Sequence, residues 1–163
     1  MLDYEMYEKF GQFIDGEWSQ SSDKSTYEVI NPANEEVIGH ASKATPQDVE
    51  RALKSAEKGL KIWKKTPPWQ RSYIIRRIAD RIREKQDVLA KCMTLEVGKP
   101  FTEAKGEVNG AADIFEWNAE ETKRIYGQTV ESRFEDTRVH VYYQPVGVVA
   151  ALSPWNFPAV LSA

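Results

Sequence analysis

Residues 153–158 read Ser-Pro-Trp-Asn-Phe-Pro, a side-chain amide in a stretch bounded by two prolines. Each proline fixes its own φ and restricts the residue before it, so Asn156 sits in a stiff turn. A carboxamide held in this way donates N–H to a developing oxyanion without changing its own charge. The preceding residues, 146–152, form an apolar run without alternation, the pattern of a strand covered on both faces in a parallel sheet. Ligands of open α/β sheets bind beyond the carboxyl ends of such strands, where residues 153–157 would lie. Residue types alone leave a second reading open: a strand-to-helix turn in which Asn156 is the helix N-cap and Pro158 stands near the first helical position.

Other reactive types are sparse. Cys92, the single thiol, falls mid-helix beside Leu89, Met93 and Glu96 at core spacing and has no histidine near it in sequence, which fits a small buried hydrophobe better than a nucleophile. His40 and His140 lie in separate strand-like segments with no partner at metal-ligand spacing, so no metal is assigned. Lys99, between two helices, reads as a solvated cap and not as a base. The chain has no Gly-x-Gly-x-x-Gly string.

The string Pro145-Val146-Gly147-Val148-Val149-Ala150-Ala151 followed by Pro154-Trp155-Asn156-Phe157-Pro158 resembles the oxyanion-hole strand of the aldehyde dehydrogenase superfamily. A Phe13-Ile14-Asp15-Gly16-Glu17-Trp18 hairpin, an Asn31-Pro32-Ala33 turn and Gly98-Lys99-Pro100 followed by Glu103-Ala104 extend the likeness over essentially the whole chain. The runs 103–107, 116–121 and 123–127 look most like the succinate-semialdehyde dehydrogenase branch, from which Asn118 and Gly110 depart. The resemblance implies an α/β chain that is the N-terminal part of that fold: a small antiparallel sheet, helices, a β-hairpin arm and the first strand of an unfinished parallel dinucleotide-binding sheet. It implies oxidation of a small aldehyde, such as succinate semialdehyde, to the acid with NAD or NADP. Asn156 would then be catalytic as the oxyanion donor; Ser153, Pro154, Trp155 and Asn156 would line the cofactor cleft, and Phe157 the aldehyde tunnel. The catalytic cysteine, the glutamate base and the ribose-gripping lysine are expected beyond residue 163. A hairpin that pairs with another subunit implies a homodimer or homotetramer.

These residues need elements to position them. Asp15-Gly16 signals a tight hairpin turn, and residues 27–30 and 36–41 read as further strands, together a small antiparallel sheet. Thr45-Pro46-Gln47-Asp48 is a helix start with a cap, a proline and an acid in the right places. Val49, Ala52, Leu53, Ala56, Leu60 and Trp63 continue it at helical spacing. A second helix is expected over about residues 69–85, with isoleucines on one face and arginines opposite, a third over 87–97 ending at Gly98 as a left-handed cap, and a fourth from Pro100 to about Tyr126. Residues 127–132 and 138–144 form a long hairpin that either extends the local sheet or serves as the arm. The organisation is thus 1–126 as the first part of a cofactor-binding domain, 127–144 as an oligomerisation hairpin and 145–163 as the start of a Rossmann-like sheet.

The 163 residues carry a formal charge of −3, with lysines and arginines scattered along helices, which argues against a nucleic-acid partner. The acidic start, residues 1–8, lacks the basic and apolar regions of a signal peptide, and no apolar run approaches a membrane span. With one cysteine, the expected compartment is the cytoplasm. The apolar pattern is still running when the chain stops, so a longer protein is expected. Two competing functions stand beside the enzyme: a non-catalytic truncated fragment that retains only packing and assembly surfaces, and a stand-alone α/β binding module using the 155–157 turn.

Overall fold

The computed structural model describes residues 11–163, so the acidic stretch 1–8 lies outside the described residues. Asp15 and Gly16 both take positive φ, 57° and 85°, the twist-matched turn that joins β1 (Gln12–Ile14) to β2 (Glu17–Ser19). The rings of Phe13 and Trp18 pack across this hairpin with centroids 5.1 Å apart. β3 (Thr26–Ile30) and β4 (Val37–Ser42) form a second antiparallel pair with a register irregularity at Val29/Ile30. Asn31 Oδ1 accepts from the Ala33 amide at 3.0 Å and tightens the turn between them.

The two pairs do not merge into the single small sheet expected from sequence; each is a separate two-stranded ladder. The link between them is drawn elsewhere. Ser22 donates its backbone N–H to the Asp48 carboxylate at 3.1 Å, and the Ser21 hydroxyl donates to the same group at 3.3 Å. The chain therefore leaves β2 toward the first helix instead of returning alongside it.

That helix, α1 (Pro46–Trp63), begins as its sequence dictates. The Thr45 hydroxyl accepts from the Asp48 amide at 3.2 Å, and Asp48 accepts from the Thr45 amide at 3.0 Å. Its apolar stripe is largely uncovered, with Val49 and Leu53 about half exposed. α2 (Pro68–Glu84), α3 (Gln86–Val97) and α4 (Phe101–Glu121) carry the core. Ala90, Met93, Ala104 and Val108 are its buried centre, flanked by Ile82, Val97 and Ala159. Alanines at 104, 111, 112 and 119 are buried on α4, where their short side chains let α2 and α3 approach closely.

The arginines of α2 do not stand opposite its isoleucines. Arg76 donates to Glu116 at 2.6 Å and to Glu120, and Arg83 to Asp113 and Glu116, each at 2.7 Å, so both face α4 beside Ala79 and Ile82. Ile74 and Ile78 point to the uncovered side. Guanidinium groups reach α4 because carboxylates wait there, and their stems cover apolar surface on the way.

α3 ends at Gly98 in the left-handed conformation, φ 76°. α4 stops at Glu121, short of Tyr126: Thr122 Oγ1 back-bonds to Asn118 O at 2.8 Å, and a 3₁₀ turn at Thr122–Arg124 closes the helix. β5 (Gln128–Glu131) and β6 (Arg138–Val141) pair antiparallel, shorter than the sequence suggested, and every residue of both is exposed. The run expected as a strand over 146–152 belongs to no ladder among the described residues, and Val146 and Leu152 are each 94% exposed. A strand is made by its neighbours, and here none flanks it. No described helix is long and apolar enough to cross a membrane.

Candidate active site

The turn at 153–158 is docked on the helical core by two residues that the sequence reading left aside. Glu107 enters from the buried face of α4, at the spacing of Ala104, Val108 and Ala111, with only 2% of its side chain exposed. Its Oε1 accepts from the amides of Ala159 at 2.9 Å and Val160 at 3.4 Å, while Oε2 accepts from Lys99 Nζ. Lys99 is 11% exposed at its side chain, contrary to the solvated cap expected of it. The ammonium is instead drawn in by the Glu107 carboxylate, because burying one charge beside the other avoids leaving either unpaired. Lys99 Nζ also donates to the backbone carbonyl of Asn156 at 2.6 Å and lies 4.0 Å from the centre of the Phe157 ring.

These contacts decide between the two readings of Asn156 as a structural element. The 3₁₀ turn Val160–Ser162 that follows has no side-chain cap of its own, and its leading amides are taken by Glu107 from another helix. Asn156 is therefore not the N-cap. Its carboxamide is exposed and bonded to nothing among the described residues. The same holds for the Ser153 hydroxyl and the backbone between Ser153 and Trp155. Trp155 is 78% exposed and, with Pro158 and Ala159, borders a cleft of about 820 Å³ whose other walls include Met93, Val108 and Phe115. The structure thus brings Ser153, Pro154, Trp155, Asn156 and Phe157 together as one exposed turn held from beneath.

A donor set of this kind suits an electron-rich ligand. The free hydroxyl and amide groups at 153–155 and the broad face of Trp155 fit a polar, partly aromatic molecule such as a dinucleotide, and the Asn156 amide fits a carbonyl oxygen gaining charge.

Cys92 does not join this site. It is half-buried on α3 outside the cleft lining, and burial, with Glu96 beside it, pushes its thiol up from the ordinary value, away from a thiolate. His140 meets Thr129 Oγ1 at 3.2 Å across the exposed hairpin, and no group of potential metal ligands occurs among the described residues. Gly110 faces the turn from α4: an added Cβ would meet Val160 Cγ2 at 3.4 Å. Asn118 turns inward on its own helix, donating to Ile114 O at 3.0 Å. The signal for the missed pair was present, since a carboxylate at a core position of an alanine-rich helix needs a partner.

The profile of the aldehyde dehydrogenase family matches residues 18–163. The chain is 46% identical over 149 residues to a glutarate-semialdehyde dehydrogenase of Pseudomonas putida, a match that covers 91% of this chain and 31% of that protein. It is 43% identical over 148 residues to the succinate-semialdehyde dehydrogenase GabD of Escherichia coli, whose name carries NADP(+), with coverage of 91% and 31%. Among solved structures, a betaine aldehyde dehydrogenase point mutant from Staphylococcus aureus in complex with NAD+ superposes with a TM-score of 0.89 at 33% identity, covering 98% of this chain and 33% of that one. The chain spans about 31% of the length of the curated relatives it matches.

Proposed function

The chain belongs to the aldehyde dehydrogenase family, and from that premise we propose that the whole enzyme oxidises a small aldehyde to its carboxylic acid with NAD or NADP. Asn156 is the catalytic residue this chain contributes. The observation that carries the reading is the exposed, unbonded Asn156 carboxamide on a turn fixed by two prolines and by the Lys99–Glu107 pair.

In this mechanism a thiolate outside the 163 residues adds to the aldehyde carbon, and the carbonyl oxygen becomes an oxyanion. The Asn156 N–H donates to that oxygen as charge develops, and again when water, activated by a glutamate outside this chain, attacks the acyl group. Because the turn is set before the reaction, little reorganisation opposes this donation. Ser153, Pro154, Trp155 and Asn156 would hold a nicotinamide dinucleotide, through the free backbone and hydroxyl groups and the indole face, and it would supply the hydride acceptor. Phe157 walls the aldehyde side.

The substrate class is a semialdehyde of a short dicarboxylic acid, such as succinate semialdehyde, supported by the names of the two curated relatives. Residues 1–126 and 145–163 belong to the cofactor-binding domain, and 127–144 form an assembly hairpin that pairs a homodimer or homotetramer; the exposure of every residue in both its strands supports this. The test is to supply four- and five-carbon semialdehydes and their uncharged aldehyde counterparts to the whole enzyme and follow NADH and NADPH formation. Higher kcat/KM for the semialdehydes supports the assignment; no reduction of either dinucleotide with any aldehyde overturns it.

A further inference from the structure

Resting on the oxyanion role of Asn156 proposed above, we infer that Lys99 and Glu107 form a positioning clamp that aims the Asn156 carboxamide at the reacting oxygen. Their contacts fall on residue 156 itself and on the residues that follow it. Lys99 Nζ takes the carbonyl of residue 156 itself at 2.6 Å and sits over the ring of residue 157, while Glu107 takes the amides of residues 159 and 160. The ion pair between them makes one unit of the two grips. The carboxamide beside these grips is left unheld, free to meet a ligand.

The clamp explains why two charges are kept beneath a turn that apolar residues could have packed. An ion pair at this depth adds little net stability over a hydrophobic replacement, but it fixes geometry where its donors and acceptors are all engaged. Lys99 follows the left-handed Gly98, whose own position is set against Pro32, and Glu107 sits on the α4 core face. Glu107 is therefore anchored on a helix and Lys99 in the short link between α3 and α4, and the turn is tied to both. Misplacing a reacting group by about 1 Å costs roughly 10²-fold in rate, so a loosened turn would lower kcat even with Asn156 intact.

Neither residue touches the reacting atoms, so both are positioning residues, and the test must separate aim from general folding. In the whole enzyme, Lys99→Met and Glu107→Gln are each made alone and combined with Asn156→Ala. Each single variant is expected to lower kcat by about 10- to 100-fold with the KM for aldehyde little changed. In the Asn156→Ala background the same changes are expected to lower kcat less than about twofold, because nothing remains to be aimed. Lys99→Arg, which keeps the charge and two donors, is expected to recover part of the loss. Amide exchange at Ala159 and Val160 is expected to quicken in Glu107→Gln. Equal losses in both backgrounds, or a full kcat in both clamp variants while Asn156→Ala is impaired, would overturn the clamp alone. A full kcat in Asn156→Ala would instead overturn the oxyanion reading on which it rests. If Lys99→Met fails to fold, Glu107→Gln, which preserves size and shape, carries the same cycle.

Discussion

Replacing Gly98 and Gly59 separately by alanine should change stability in opposite directions. Gly98 holds φ 76° at the end of α3, where an L-residue pays roughly 1–2 kcal/mol, and an added Cβ would stand 3.1 Å from Pro32 Cγ. Gly59 lies inside α1, where an added Cβ meets nothing within 4 Å, so alanine there should stabilise by about 0.5–1 kcal/mol. At about 2–4 °C per kcal/mol for a chain of this size, Gly98→Ala should lower the thermal midpoint by ~2–8 °C and Gly59→Ala should raise it by ~1–4 °C. Helix signal by circular dichroism, followed against temperature and urea, measures both. Gly98→Asn separates the two costs at position 98, because asparagine tolerates the left-handed region yet carries the same Cβ. A Gly98→Ala variant as stable as the parent, with Gly59→Ala raised as expected, would refute the cap argument. It would also loosen the premise that Lys99 is presented by a fixed turn.

Acid should destabilise the fold with a defined sign. Asp48 is held well below the ordinary carboxylate range by the Thr45 amide, opposed by burial and helped by the Ser22 amide, and Glu116 is lowered by Arg83 and Arg76. Depressed folded values contribute stability above the unfolded pKa that is lost as pH falls toward the folded one, so urea midpoints should be level down to about pH 5 and fall below about pH 4. Asp48→Asn should flatten part of that fall; an unchanged profile would count against Asp48. In the whole enzyme, deleting residues 133–137 should leave the oligomer intact, whereas removing both β5 and β6 should give smaller species in light scattering, and an unchanged mass would remove the arm role. Residues 1–163 expressed alone should reduce no NAD(P) with any aldehyde and should bind apolar dyes through the exposed 146–152 run. Turnover that disappears on Cys92→Ser would reinstate that thiol as a nucleophile.

Local chemistry was readable wherever a residue's own backbone sets the structure. Asp15-Gly16 gave the β1–β2 turn, Thr45 with Asp48 gave the start of α1, and Gly98 gave the end of α3. What depends on a distant partner was not readable in the same way. Arg76 and Arg83 looked like a solvated face because their carboxylates lie far along the chain, 40 and 44 residues on for Arg76 and 30 and 33 for Arg83. Lys99 looked exposed for the same reason, since its carboxylate lies on the next helix and the carbonyl it holds lies 57 residues on. The separate ladders also escaped, because the Ser21–Asp48 and Ser22–Asp48 bonds that divert the chain are invisible to strand patterning. The turn at 153–158 was found from its prolines and its amide; the clamp beneath it required the fold.

The most direct measurement of the central claim is kcat for Asn156→Ala in the whole enzyme, with folding and oligomeric state verified beside the parent. A loss of roughly 10²–10³ in kcat with modest change in KM is expected, the usual cost of removing one oxyanion donor. Asn156→Asp should be at least as damaging, since it sets an acceptor where a donor is needed. An Asn156→Ala enzyme that keeps the parent's kcat would contradict the account, and Asn156 would then be only part of a well-held turn.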